Sequence, residues 1–217
     1  MTSFFNYINT QLQNKIKNES ELNIINDKIY DYVMSRIYDK IYPKKKNLID
    51  KNIFRKTCQL SWVEPENLIK GNLHYDFDFV LPDINKYVCQ IRDEKSPRKK
   101  IISLNNIFNS INKLLIFTKG DVPIGVDDQM PLITYCLIKA RPYGIFTDLN
   151  FMQLYIGNKK NKVEDNELTQ LLTILDFIDQ AKYSSFDNVS KEEYDEKGEI
   201  SLKESSEYMS QYDEIRV

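Results

Sequence analysis

Apolar residues in this chain recur at intervals of three and four, and little interrupts them: its 217 residues include only 6 glycines and 7 prolines. That period is the signature of helices that bury one face, and the scarcity of turn-forming residues leaves room only for short connections. The expected fold is all-α, a layered helical bundle. With 41% apolar content the chain can bury one substantial core, whereas two full domains would each be thin. The expected organisation is an N-terminal helix over 1–20, a helical domain over 21–182 and an acidic, unpacked tail over 183–217.

The pattern divides as follows. Phe4, Ile8, Leu12 and Ile16 predict a helix over 4–17, and Leu22, Ile25, Ile29, Val33, Ile37 and Ile41 form the stripe of a longer one over 21–42. Pro43 and Lys44-Lys45-Lys46 end it in a solvated loop. A helix over 48–61 leads to Trp62-Val63-Glu64-Pro65. Gly71 to Phe79 reads as an ordered loop that could hide a short hairpin, and helical period resumes near Pro82 to Ile91. Ser96-Pro97 then opens a long helix, with serine as N-cap and proline in the first turn. Its stripe is Ile101, Leu104, Ile107 or Phe108, Ile111 and Leu115. A loop over 118–126 feeds a helix at Asp127, and further helices are expected over 148–156 and 165–180. A core closed by Trp62, Leu104, Leu137, Leu171 and Leu175 follows from these faces.

The charge balance excludes several classes of function. Thirty basic and 32 acidic residues give a formal charge of −2, so no global field draws the chain to nucleic acid or to an anionic membrane. Lys44-Lys45-Lys46, Lys99-Lys100 and Lys159-Lys160 read as solvated surface. No run approaches the length of a membrane span, and the first residues lack a secretory pattern, so a cytoplasmic monomer without membrane insertion is expected. Cys58, Cys89 and Cys136 are odd in number and far apart, which suits reduced, buried thiols. His74 is the sole histidine, so neither a metal centre nor a histidine-based hydrolase is expected, and no cofactor is called for.

One constellation stands out. In Gly125-Val126-Asp127-Asp128-Gln129-Met130-Pro131 a loop delivers two aspartates to a helix start. Asp127 at the N-cap would accept from the orphan amides and complement the dipole, and Pro131 would fall where a missing N–H is harmless. Capping accounts for this grammar and leaves a further role open. Farther on, Leu168, Leu171, Leu172 and Leu175 share the inward face of one helix, while Asn166, Thr169, Gln170 and Thr173 share the other, where a partner could sit.

The run from Asp127 through Tyr135, followed by Leu137-Ile138-Lys139-Ala140-Arg141-Pro142, resembles the signature helix of the vacuolar-protein-sorting-nine domain. Other pieces fall in that family's order: Tyr32 to Tyr38, Leu60 to Pro65, Ser96 to Lys100, Phe146 to Met152, and Leu168-Thr169 through Phe177-Ile178. The resemblance covers about 24–180 and is most similar in layout to Rabex-five-like members. It implies a guanine-nucleotide exchange factor for a small Rab GTPase, usually of the endosomal Rab-five class, which is not an enzyme in the covalent sense. It implies an acidic finger at Asp127, with Asp128 as the other candidate. It also implies GTPase contacts from Asp128, Met130, Pro131, Thr134, Asn166, Thr169, Gln170 and Thr173, and recruitment to endosomes. Asn166 departs from the family, which usually carries a tyrosine there. A Rab-binding scaffold without exchange activity is therefore the second reading. A hydrolase using Asp127 and Asp128 ranks below both, since adjacent helical side chains diverge by about 100°.

Overall fold

The computed structural model describes residues 2–44, 47–69, 74–120, 122–156 and 162–214. The elements are α1 (Thr2–Gln13), α2 (Glu19–Ile41), α3 (Leu48–Gln59), α4 (Phe77–Asp93), α5 (Pro97–Lys119), α6 (Val126–Ala140), α7 (Ile145–Ile156), α8 (Lys162–Gln180), α9 (Lys191–Glu204) and α10 (Ser206–Glu214), with short 3-10 turns at Pro65–Asn67 and Tyr183–Ser185. Among the described residues there is no strand, and no helix is long and apolar enough to cross a membrane. The chain is all-α, as its periodicity predicts.

Helix α5 is the hub. It folds back on α4 across residues 94–96 and also contacts α2, α6, α7 and α8. Every residue of its expected stripe is buried, from Ile101 through Leu115. Leu104, Leu137, Leu171 and Leu175 lie in the main core as expected, but Trp62 packs only partly buried at its margin. Helix α2 departs from its expected stripe: Tyr30 and Met34 go inward and join Phe151 of α7 in a second, aromatic cluster.

A buried ion pair sits where these layers meet. Lys100 and Asp148 are 0% and 1% exposed, with Nζ 2.8 Å from Oδ1. Lys100 also donates to the Ile91 carbonyl in the last turn of α4, and Tyr42 donates its hydroxyl to Asp148 at 2.8 Å. Lys100 therefore caps the carbonyl end of α4, where a cation is favoured by both orphan acceptors and dipole. The reading of Lys99-Lys100 as solvated surface is corrected for Lys100; Lys99 remains exposed. Asp50 of α3 does the complementary service for α7, accepting from the Phe146 and Thr147 amides.

Other expectations are corrected. Helix α1 ends at Gln13, four residues early. Helix α4 starts at Phe77 with the Asp76 carboxylate accepting from the Phe79 amide, so 77–79 are helix rather than loop. Ser96 caps α5 by position only, its hydroxyl donating to Asp31 instead. Cys89 is exposed, unlike Cys58 and Cys136. Residues 71–73 of the expected loop, Lys45-Lys46 and Lys159-Lys160 lie outside the described residues.

The largest correction concerns the tail expected over 183–217, of which 183–214 are described. Helix α9 packs against α3: Tyr194 donates to the Ala181 carbonyl at 2.9 Å and accepts from Lys56 at 2.7 Å. Phe186, Tyr194 and Lys197 surround the Trp62 ring. A Cβ on Gly198 would meet Gln59 at 3.1 Å, and Ser201 and Ser205 are buried at the following helical positions. A ridge of small residues lets α9 approach closely; such a face carries no hydrophobic signal. Helix α10 continues the cover, with Tyr208 against Phe54 and beneath Arg141.

Four outcomes are expected. Lys100→Met strands a buried carboxylate and should cost about 3–5 kcal/mol in urea unfolding, much of it regained in Lys100→Met/Asp148→Leu. Gly198→Leu overpacks the α3–α9 contact and should cost roughly 1–3 kcal/mol, and truncation before Lys191 should lower the melting temperature by several degrees. Glu167 of α8, half-buried, has its carboxyl raised to about 7 by burial and then by Glu164. The stability associated with its neutral form is complete below the unfolded value near 4.5 and is lost as pH rises through 7. Glu167→Gln should therefore melt higher than wild type at pH 8 and equally at pH 4.

Candidate functional site

The first turn of α6 separates the two aspartates. Gly125, not Asp127, is the N-cap, so Asp127 and Asp128 are the second and third helical residues. Asp128 reaches back to accept from the Gly125 amide at 3.0 Å and pairs with Lys119 at the end of α5. The Lys119 bond, then the Gly125 amide, hold its carboxyl below the usual range. Asp128 thus ties α6 to α5 and fixes the helix start. Asp127 is exposed, and no ion pair or side-chain hydrogen bond reaches it among the described residues. The capping role expected of Asp127 belongs to Asp128.

Pro131 lies deeper than expected. As the sixth helical residue it removes an N–H that the helix would have used, so the Asp127 carbonyl lacks its i+4 partner. The turn is held from outside instead. Gln129 donates its amide to Asn112 of α5 at 2.6 Å, adding a second tie beside Lys119.

The remaining expected contact residues divide. Met130 and Pro131 are half-buried beside Asp127. Thr134 is corrected: it is 4% exposed and its hydroxyl returns to the Met130 carbonyl at 2.7 Å, so it packs inward and offers no surface. On α8, Asn166, Thr169 and Thr173 are exposed; Thr169 and Thr173 donate to carbonyls one turn back. Gln170 is half-buried, and its Oε1 is buried without a donor among the described residues.

Helix α5 connects the two sets. The Asn105 amide, oriented to satisfy its surroundings, donates to the Glu167 carboxylate at 2.6 Å and to the Ile101 carbonyl at 3.1 Å. Asn105 and Asn112 are two turns apart on one face, so the first turns of α6 and α8 lie along the same flank of α5. Residue-type reading missed both amide ties, because asparagine in a helix carries no periodic signal. Among the described residues no group of His, Cys, Asp and Glu is arranged to hold a metal.

This geometry places an exposed carboxylate, without an ion pair or side-chain hydrogen bond among the described residues, on a ledge beside a polar helix face, a surface suited to meeting a macromolecule. Residues 81–183 match the family model of the Vacuolar sorting protein 9 (VPS9) domain. The chain is 28% identical over 144 residues to Vacuolar protein sorting-associated protein 9A of Oryza sativa subsp. japonica, covering 63% of this chain and 30% of that protein. The protein of the same name from Arabidopsis thaliana is 26% identical over 149 residues, covering 65% of this chain and 28% of that one. The Receptor-mediated endocytosis protein 6 homolog of Drosophila pseudoobscura pseudoobscura is 27% identical over 96 residues, 44% of this chain and 5% of that protein. The chain thus spans less than a third of the length of these relatives. The segment that matches includes the helices that carry Asp127 and Asn166, and over that segment the chain is similar to the VPS9 domain family.

Proposed function

We propose that this chain is a guanine-nucleotide exchange factor that accelerates GDP release from a small Rab GTPase of the endosomal Rab-five class, with Asp127 as its acidic finger. The observation that carries the reading is the division of labour at the start of α6: Asp128 is engaged by Gly125 and Lys119, while Asp127 stands exposed beside it. A GTPase retains its nucleotide through magnesium and a P-loop lysine on the phosphates. A carboxylate inserted there competes for the lysine and repels the β-phosphate, which loosens GDP without any covalent step. The ledge supports such an insertion because Asp127 needs no rearrangement of its own contacts to project.

The α8 surface supplies a second part of the docking area through Asn166, Thr169, Gln170 and Thr173. Asn166 is exposed and brings no ring to that surface, which supports the second reading, a Rab-binding scaffold without efficient exchange. A panel of Rab GTPases loaded with fluorescent GDP separates the two: an exchange factor raises the release rate, and a scaffold binds without raising it.

Asp127→Ala should slow catalysed release by about 30-fold or more, since losing one partner of a desolvated charge contact costs roughly 2–5 kcal/mol. Asp127→Asn should leave the melting temperature unchanged and remove most of the exchange. Equal release by wild type and Asp127→Asn would exclude the finger role.

A further inference from the structure

Between the first turns of α6 and α8, α5 turns an unusual face to solvent. Ile102, Asn105, Asn109, Asn112 and Ile116 follow one another at three and four residues, a straight stripe along the helix. Ile102 is 46% and Ile116 54% exposed, Asn109 is exposed, and Asn105 and Asn112 are half-buried under their bonds to Glu167 and Gln129. In a chain with 29% charged residues, 101–112 contains none. Lys113, the next charge, projects about 60° off the stripe.

Depletion of charge on a solvent-facing helix, with aliphatic groups at both ends and carboxamides between, distinguishes the core of an interface from ordinary surface. The stripe also leads to Asp127, which lies two residues before the Gln129 that bonds Asn112. Building on the exchange reading above, we infer that the α5 stripe, centred on Asn109 and Ile116, is a third wall of the GTPase-docking surface. It takes the uncharged part of the GTPase face that surrounds the phosphate site.

The chemistry selects this occupant. A carboxamide offers donors and an acceptor together, so it can meet the exposed main-chain groups of an irregular loop, while the isoleucines meet apolar side chains. The Asp127 carboxylate stands at one end of the stripe, so the complement is neutral along the stripe and cationic at that end. A GTPase with a lysine on its phosphates beside mobile loops fits that demand.

The test uses Asn109→Arg and Ile116→Asp in the full chain, with Asp127→Asn as comparison, against the Rab that responds in the release panel. Both stripe variants are at exposed positions and should melt like wild type. The expected result is a rise of at least about tenfold in KM for catalysed release, and in Kd for the nucleotide-free GTPase, with kcat within about twofold. Asp127→Asn should do the opposite, lowering kcat. Wild-type KM and Kd in both stripe variants would overturn the inference while leaving the finger intact. If wild type releases no GDP yet binds the nucleotide-free GTPase, the exchange reading fails alone, and weakened binding by Asn109→Arg still supports the wall. Dimerisation abolished by Ile116→Asp, or no binding of any GTPase by wild type, would overturn it.

Discussion

The pairing of Lys100 with Asp148 is the contact on which the other layers converge. It brings the first turn of α5, the last turn of α4 and the first turn of α7 to one point, with Tyr42 reaching in from the end of α2. Two ions removed from water are individually costly, and only dense hydrogen bonding offsets that cost. Here the lysine also satisfies helix-end carbonyls, and the Tyr38 and Tyr42 rings lie near its ammonium. Each helix therefore enters the bundle in a fixed register. Asp50 repeats the device from α3, so α7 is held at its amino end by one acid and carries another inward.

How much of this was legible in the sequence depended on the kind of signal. Strong aliphatic period gave α5 and α8 correctly, because Leu and Ile at three and four leave one face to bury. Helix α2 was found but rotated: aliphatic counting favoured Ile29 and Val33, whereas Tyr30 and Met34 fill the aromatic cluster with Phe151. Lys100 was unreadable, since nothing local distinguishes a buried lysine from its exposed neighbour Lys99. The acid that neutralises it is 48 residues away. Helix α9 failed for a different reason. Gly198, Ser201 and Ser205 score as polar or flexible, yet their small size is what permits contact with α3.

The candidate site was legible in its chemistry and misplaced in its geometry. Asp127, Asp128 and Pro131 were singled out, but the cap was assigned to the wrong aspartate because Gly125 has no side chain to announce an N-cap. Once the cap moves two residues earlier, Asp128 falls where an acid can reach back to the cap amide, and Asp127 is released. The same shift moves Pro131 beyond the orphan donors. Thr134 illustrates the limit of spacing arguments: one turn after Met130, it nevertheless faces the core.

Pro131 has a consequence for motion. Without its N–H, the first turn of α6 has no main-chain bond at that step to the body of the helix, and it relies on the Gly125 bonds, Gln129–Asn112 and the Lys119–Asp128 pair. Opening this turn therefore has one main-chain bond fewer to break besides these side-chain contacts, and it leaves the core beneath intact. From Leu132 onward the side chains are buried without a break through Ile138. Amide hydrogen exchange should divide at the proline, fast before it and slow after, so that the ledge bearing Asp127 behaves as a hinged flap on an immobile post.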